Sequence, residues 1–381
     1  MSLIIRKLKV RLRELIKWVL LVTPLRSVLR FLVMRPVWFI LFKTTKQNPA
    51  LPKVSIVMPV WNNKTLVGDA IRSARAQSWA NIEILITDDG STDGSGAILD
   101  RFALKTPQLQ VFHHKNAGPG AARNNSIKHI TDSEYLVFLD SDDLLPIHGV
   151  RRLVESAEQS GSPLVIGKIE RFDGVRRFQR RDNMHVYRES RQAISIDDEP
   201  EVLSDANISA KLFNMQFWND HKLSFPEGVV YEDMTVVVTA YLTVKQFDIV
   251  SECVNLWRVR GEGQSITQRR TELKSLADRL TAIERIASQV GAEQNAGRIS
   301  ADVLRKYLTR IITLDLQLFV ISIADASPEF FDEFKTRAGK LLASATDEIW
   351  AAAKGAHKDL VRLAVTGSRE EVIRAIRARG L

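Results

Sequence analysis

The spacing of apolar and polar positions changes rhythm twice along the chain. In the first stretch, Leu8, Leu12, Leu15, Ile16, Val19 and Val22 recur at helical spacing while Arg6, Lys9, Arg13 and Lys17 gather opposite them, which predicts an amphipathic helix with a basic face. From residue 51 the pattern turns to short β-rich apolar runs separated by helical stretches. Strands are predicted at 54–59, 82–87, 109–113, 135–139 and 164–169, and helices near 65–76, 94–104, 121–130 and 150–160. Beyond about residue 268 the strand signals fade, and "TELKSLADRLTAIERIASQVG", "ISADVLRKYLTRIITLDLQLFVISIA", "PEFFDEFKTRAGKLLASA" and "EEVIRAIRARGL" all read as amphipathic helices. No internal repeat or low-complexity tract interrupts this order.

Near-continuous apolar strands alternating with helices predict an α/β fold, a mainly parallel sheet covered on both faces. The organisation expected is therefore a basic amphipathic segment over 1–50, an α/β body over 51–268 and a helical region over 269–381. In such sheets ligands bind beyond the carboxyl ends of the strands, and the unusual polar clusters fall there.

Charge sharpens the picture of the first segment. The chain carries a net +9, which by itself would suggest nucleic acid. Yet residues 1–50 hold Arg6, Lys7, Lys9, Arg11, Arg13, Lys17, Arg26, Arg30, Arg35, Lys43 and Lys46 against Glu14 alone, a local +10, so the rest of the chain, +9 less +10, sums to −1. Nucleic acid is not an expected partner of the body. A membrane-spanning helix needs about 20 uninterrupted apolar residues. Here Lys17, Arg26, Arg30 and Arg35 break every candidate stretch, and Pro24 and Pro36 disturb helix geometry. No small-residue cleavage site follows an apolar core, so a signal peptide also fits poorly. Lying in the headgroup plane of an anionic membrane suits the segment best; packing on the body or serving as a nucleic-acid arm are the other two readings. The single cysteine, Cys253, cannot form an internal disulfide and reads as a small buried hydrophobe in a protein of a reducing compartment.

Four clusters could carry chemistry. "ILITDDGSTDGS" places Asp88 and Asp89 at the end of a strand, where a carboxylate can accept hydrogen bonds from a base or ribose, though Asp-Gly and Ser before a helix also make an ordinary turn. "NAGPGAARNNS" offers Asn116, Gly118 and Arg123 in a glycine-rich turn into a helix; it is not a Walker A loop, but its N–H groups and the forked guanidinium suit an anion. "YLVFLDSDDLLP" crowds Asp140, Asp142 and Asp143 into four positions, a repulsion that a divalent cation relieves. "FPEGVVYEDMTVVVTAYL" sets Glu232 and Asp233 before an apolar helix, where one of them could cap the helix and one could act as general base.

Taken in order, "SIVMPVWNN", "EILITDDGSTDGS", "NAGPGAARNNSI", "YLVFLDSDD", "FPEGVVYED" and "WRVRGEGQSIT" closely resemble the family-2 glycosyltransferases, nucleotide-sugar enzymes of the GT-A (Rossmann-like) fold, over roughly residues 53–268. The resemblance implies an inverting, metal-dependent transferase taking a sugar from a UDP-sugar to a hydroxyl of a glycan or lipid-linked acceptor, in cell-surface polysaccharide synthesis. It implies that Pro59, Trp61 and Asp88 hold the uracil and ribose with Asp89 nearby, that Asn116, Gly118 and Arg123 line the nucleotide, and that Arg258, Arg260 and Ser265 reach the diphosphate. Asp140 and Asp142 match the Asp-x-Asp pair, with Asp142 ligating Mg2+ or Mn2+ and Asp140 touching ribose or sugar. Asp233 matches the catalytic base, with Glu232 near the acceptor, while Asp143 is left to cap the following helix. Trp61 departs from the tyrosine usual in the family, and an indole can still stack on uracil.

The enzyme expected is cytoplasmic and peripheral to the inner face of the cell membrane, with the C-terminal helices available for self-association, acceptor binding or membrane contact. The competing expectation is a non-catalytic, membrane-bound GT-A scaffold or nucleotide-binding protein; the Asp-x-Asp and Glu-Asp pairs argue against it, because a scaffold needs neither.

Overall fold

A computed structural model of the chain describes residues 47–174, 176–179, 185–259 and 270–381. The basic amphipathic segment, Arg260 and Ser265 lie outside the described residues. Lys46–Leu381 forms one compact unit. Its order opens β1 (Val54–Val60), α1 (Val67–Arg75), β2 (Ile82–Asp88), α2 (Ser95–Ala103), β3 (Leu109–His113), α3 (Pro119–Ile127), β4 (Tyr135–Phe138) and α4 (Gly149–Ser160). There follow β5 (Leu164–Phe172), β6 (Arg177–Gln179), β7 (Arg191–Ile194), β8 (Lys211–Asn214), α5 (Met215–Asp220), α6 (Glu232–Thr243) and β9 (Phe247–Arg258).

Every residue of β1 is buried, which a strand packed on one side could not achieve. Val54, Ile56, Met58 and Val60 enter one apolar cluster and Val57 the other, so successive side chains feed cores on opposite faces. One face is closed by Ile71 of α1, Leu99 of α2 and Leu153 of α4, the other by Ile127 of α3, Trp218 of α5 and Tyr241 of α6. This two-sided burial explains the continuous apolar runs in the sequence.

The sheet order is β3-β2-β1-β4-β8-β5-β9-β7, with β6 on β5. Strands β1 to β5 and β9 run in one direction, and β6, β7 and β8 run against them. The expected mainly parallel sheet flanked by helices is therefore observed, with four strands beyond the five predicted. The sequence hides β8 in part through Lys211, whose side chain is fully buried and donates to Asp205 at 3.2 Å and to the Asn207 carbonyl at 2.6 Å. β9 breaks alternation where its pairing with β5 shifts register around Lys168. Cys253, on β9, is half-buried rather than buried, its Sγ donating to the Asn255 carbonyl at 3.2 Å.

The predicted helical region is α7 (Leu273–Asn295), α8 (Ala301–Arg310), a π-helical turn (Ile311–Asp315), α9 (Gln317–Val320), α10 (Pro328–Leu341), α11 (Asp347–Ala352), α12 (Lys358–Thr366) and α13 (Arg369–Ala378). Leu276, Leu280 and Ile283 of α7 share one cluster with Phe213, Trp218 and Tyr241, so these helices continue the core of the sheet's second face. Ala301–Ala324 is long and apolar enough to cross a membrane by length and composition. Val303, Tyr307, Ile311 and Phe319 within it are buried among the chain's own side chains, the behaviour of a core helix.

Candidate active site

The polar clusters meet at the carboxyl ends of the strands, as the topology requires. β1 carries Pro59, buried, near its end at Val60, and Trp61 follows, 48% exposed. β2 delivers Asp88, and its carboxylate is held in place by the Ser91 N–H at 3.1 Å and by the His113 Nδ1 at 3.0 Å. Both ring nitrogens of His113 face carboxylates, since Nε2 lies 2.9 Å from Asp100, and this raises its pKa, with Asp100 the largest influence.

Asp89 does different work from its neighbour. Its two oxygens accept the Ala117 N–H at 2.8 Å and the Gly118 N–H at 2.9 Å, and Asn116 Nδ2 donates to the same carboxylate at 3.1 Å. Burial pushes the Asp89 carboxyl up, against the pull of those two amides. Asp89 thus fixes the glycine-rich turn, which enters α3 at Gly118 with φ of 93°, a conformation that favours glycine.

One helical turn later comes Arg123. An arginine there could have been solvated, but it is 5% exposed. Its Nη1 donates to Glu232 at 2.5 Å and its Nη2 to Asp140 at 2.8 Å, while the guanidinium sits 5.2 Å over the Phe225 ring. Burial works against its charge, yet Asp140, Glu232 and Asp233 together raise its pKa. This fork is the joint of the site: from α3 it ties the end of β4, 17 residues on, to the start of α6, 109 residues on.

Two features place α6 within reach of that fork. Gly120 lies so close to the loop before α6 that a Cβ there would stand 2.5 Å from the Pro226 carbonyl oxygen. Asn124 exchanges two hydrogen bonds with the Phe225 backbone, at 2.9 and 3.0 Å. The chain then passes through Tyr231, at φ of 68°, into the helix whose first turn carries Glu232 and Asp233. Both carboxylates profit from the helix N-terminus. Glu232 is committed to Arg123, whereas Asp233 keeps some solvent access and accepts only the Met234 N–H among the hydrogen bonds described, at 2.9 Å. Burial first, then the neighbouring Glu232, push its pKa up to about 6 against the opposing pull of Arg123.

The acidic row after β4 divides by burial. Asp140 and Asp142 are both partly exposed. Asp143 is 3% exposed, accepts the Arg258 N–H at 2.9 Å and Asn255 Nδ2 at 3.1 Å, and its pKa is raised by burial and by Asp142 and Asp140. The expectation that Asp143 caps the next helix is therefore corrected: α4 starts after His148 without a side-chain cap, and Asp143 instead ties the acidic row to β9. Arg258 joins in, its Nε donating to the Asp142 carbonyl at 2.8 Å and its Nη2 pairing with Asp69 at 3.6 Å. Arg260 and Ser265 fall outside the described residues.

Among the described residues no group of three or more His, Cys, Asp or Glu is gathered to hold a metal. The donor set that is present, two partly exposed carboxylates with one oxygen of Asp140 engaged by Arg123, fits a hard cation completed by diphosphate oxygens and water rather than a closed protein cage. Sequence reading missed Tyr231, Phe225 and His113. Phe225 and Tyr231 stand inside the quoted element "FPEGVVYED" without having been singled out, and an apolar helix preceded immediately by Tyr-Glu-Asp is a signal that the entry to that helix is special.

Sheet order, the polar turns along its carboxyl edge and the helix that carries Glu232 across to Arg123 define the GT-A class of fold. Comparison with known proteins makes the class specific. The sequence model described as "Glycosyl transferase family 2" matches residues 55–216, so that part of the chain is similar to a domain of this family. It is 28% identical over 220 residues to the poly(ribitol-phosphate) beta-glucosyltransferase of Bacillus spizizenii, covering 56% of this chain and 33% of that protein. It is 31% identical over 120 residues to glycosyltransferase GlyG of Streptococcus pneumoniae, covering 32% of this chain and 40% of that protein. The chain thus matches well under two thirds of the length of either relative. Among solved structures, S. aureus TarS residues 1–349 in complex with UDP-GlcNAc superposes with a TM-score of 0.69 at 18% identity, covering 86% of this chain and 92% of that one. That likeness shows the fold.

Proposed function

We propose that the chain is an inverting glycosyltransferase that moves a sugar from a UDP-sugar to a hydroxyl of a glycan or lipid-linked acceptor in the synthesis of a cell-surface polymer. The observation that carries this reading is the Arg123 fork, which brings the Asp-x-Asp end of β4 and the Glu-Asp start of α6 to one place. The named activity of the Bacillus spizizenii relative and the UDP-GlcNAc held by TarS support the donor and polymer classes.

In this reading Trp61 and Asp88 receive the base and ribose, and the turn set by Asp89, Asn116 and Gly118 closes over the nucleotide. Asp142, with Asp140, would hold Mg2+ or Mn2+, which when bound supplies positive charge toward the diphosphate. Asp233 takes the proton of the acceptor hydroxyl as that oxygen bonds to the anomeric carbon; the bond from that carbon to the diphosphate oxygen breaks on the opposite face, giving inversion and free UDP. A carboxylate with a pKa near 6 is ionised at neutral pH and basic enough for this work. Glu232, clamped by Arg123, orients the acceptor side, and Arg258 stands beside Asp142 to support the leaving group.

The direct test is a thermal-shift screen of UDP-sugars with and without Mn2+, followed by a transfer assay on the donor that stabilises most. Asp142→Ala is expected to erase the metal-dependent part of the shift. Asp233→Ala is expected to keep the shift and lose transfer; wild-type transfer by that variant would remove Asp233 as the base. Residues 1–50 are proposed to attach the enzyme to the cytoplasmic face of an anionic membrane, so deleting residues 1–45 should release it from anionic vesicles while leaving donor binding intact.

A further inference from the structure

The helices after residue 270 grip the loop that leads into Glu232 and Asp233. Four residues in the first two turns of α7 do this. Lys274 Nζ donates to the Gly228 carbonyl at 3.4 Å and to Asp278 at 2.8 Å; Asp278 accepts the Val230 N–H at 3.1 Å; Ser275 Oγ lies 3.4 Å from the Tyr231 hydroxyl; and the Arg279 guanidinium stacks 4.5 Å from the centre of the Tyr231 ring. Arg279 is itself fixed from behind. It donates to Asp315, which is fully buried in the π-helical turn, and Asp315 also accepts from Arg310 at 2.6 Å. Arg279 and Arg310 are 8% and 6% exposed. A π-turn and a buried cluster of two cations on one anion are both costly to build, and such features recur at functional sites.

The contact they make is with a residue that itself departs from ordinary backbone. Tyr231 holds φ of 68° immediately before the two acidic residues, a left-handed conformation that a bulky side chain adopts only when its surroundings over-determine it. Were Tyr231 to relax, α6 would start with a different phase and Glu232 would leave Arg123.

We propose that Arg279, braced by Asp315 and Arg310, is a positioning residue for the acidic pair: by stacking on Tyr231 it holds the left-handed entry to α6 that aims Glu232 and Asp233 into the site. The inference rests on the glycosyltransferase reading given above. It gives the C-terminal helices a purpose that self-association or membrane contact would not, since removing their contact should alter turnover.

The test compares Arg279→Met, Arg279→Lys and Tyr231→Leu with the full-length protein, each checked for cooperative melting. Arg279→Met is expected to lower kcat by about tenfold or more with donor KM within about twofold, because a small misplacement of a base weakens the chemical step rather than donor binding. Arg279→Lys, which keeps the cation, should recover part of kcat. Tyr231→Leu removes the same stack without disturbing the buried charges, should lose kcat to a similar degree, and decides the matter if Arg279→Met does not fold. Combining it with Arg279→Met should add little, as expected of two residues acting through one contact. Hydrogen exchange over residues 228–235 should accelerate in both variants relative to the rest of the chain. Normal kcat together with unchanged exchange in that segment would overturn the proposal, as would a loss confined to donor KM. If the wild-type chain transfers sugar from none of the UDP-sugars offered, the functional reading is what fails, and the exchange measurement still decides whether Arg279 holds the loop.

Discussion

Asp233→Asn is expected to make the protein inactive and, above neutral pH, more stable. Burial and Glu232 raise the Asp233 pKa from the ordinary 3.8 to about 6. A folded-state pKa above the unfolded one means that the folded protein binds this proton more tightly, so the group's contribution to stability is fully present below about pH 4 and is lost as pH rises toward 6. At 1.36 kcal/mol per pH unit of difference, the loss at pH 7.5 comes to about 2–3 kcal/mol. Asparagine, which cannot ionise, avoids it. Urea denaturation of wild type and Asp233→Asn at pH 7.5 and pH 4 should therefore show the variant ahead by that amount at the higher pH and level at the lower. With Asp233 as the proposed base, kcat/KM should fall about tenfold for each pH unit below 6, since a general base must be ionised. A variant less stable than wild type at pH 7.5 would refute the reasoning, because it would mean that Arg123 holds Asp233 charged at a net gain.

Removing the fork itself should act in the opposite direction. Arg123→Met strands Glu232, 7% exposed, beside Asp233 and is expected to cost about 3–5 kcal/mol in urea denaturation at neutral pH. Arg123→Lys should recover only part, since an ammonium cannot reproduce the two-armed contact to Glu232 and Asp140. Gly120→Ala puts a Cβ 2.5 Å from the Pro226 carbonyl oxygen and should destabilise by about 1–3 kcal/mol in thermal melting, with a loss of transfer out of proportion to its size, because the shift it forces lies between α3 and the loop before α6. A melting point equal to wild type would show that the loop yields without consequence.

The parallel half of the sheet was legible because two-sided burial leaves a mark in the sequence. β1, β2 and β4 are buried at every position and mostly apolar, and their predicted limits differ from the observed ones by a residue. β8 left no such mark: it has four residues, and one is a buried lysine whose charge is answered by Asp205, a residue that no periodicity connects to it. The helical region was legible as helices, but its purpose was not. Amphipathic spacing tells that α7 buries Leu276, Leu280 and Ile283; it does not tell that Arg279, on the same helix, turns inward to a carboxylate 36 residues away.

The acidic row after β4 shows where motif reading stops and packing takes over. In sequence Asp140, Asp142 and Asp143 are three equivalent carboxylates, and mutual repulsion argues only that something must relieve them. The fold relieves each one differently. Asp140 is answered by Arg123, which arrives from α3, and Asp143 by the Arg258 N–H and the Asn255 amide of β9. Asp142 keeps its partly exposed place between them, with its carbonyl held by Arg258. Which group answers each carboxylate thus depends on contacts 17 to 116 residues apart in sequence. Because Arg123 also holds Glu232, the same guanidinium that partners Asp140 sets the start of α6. In the proposed reading, donor side and acceptor side are therefore linked through one buried cation, and a change at either should be felt at the other.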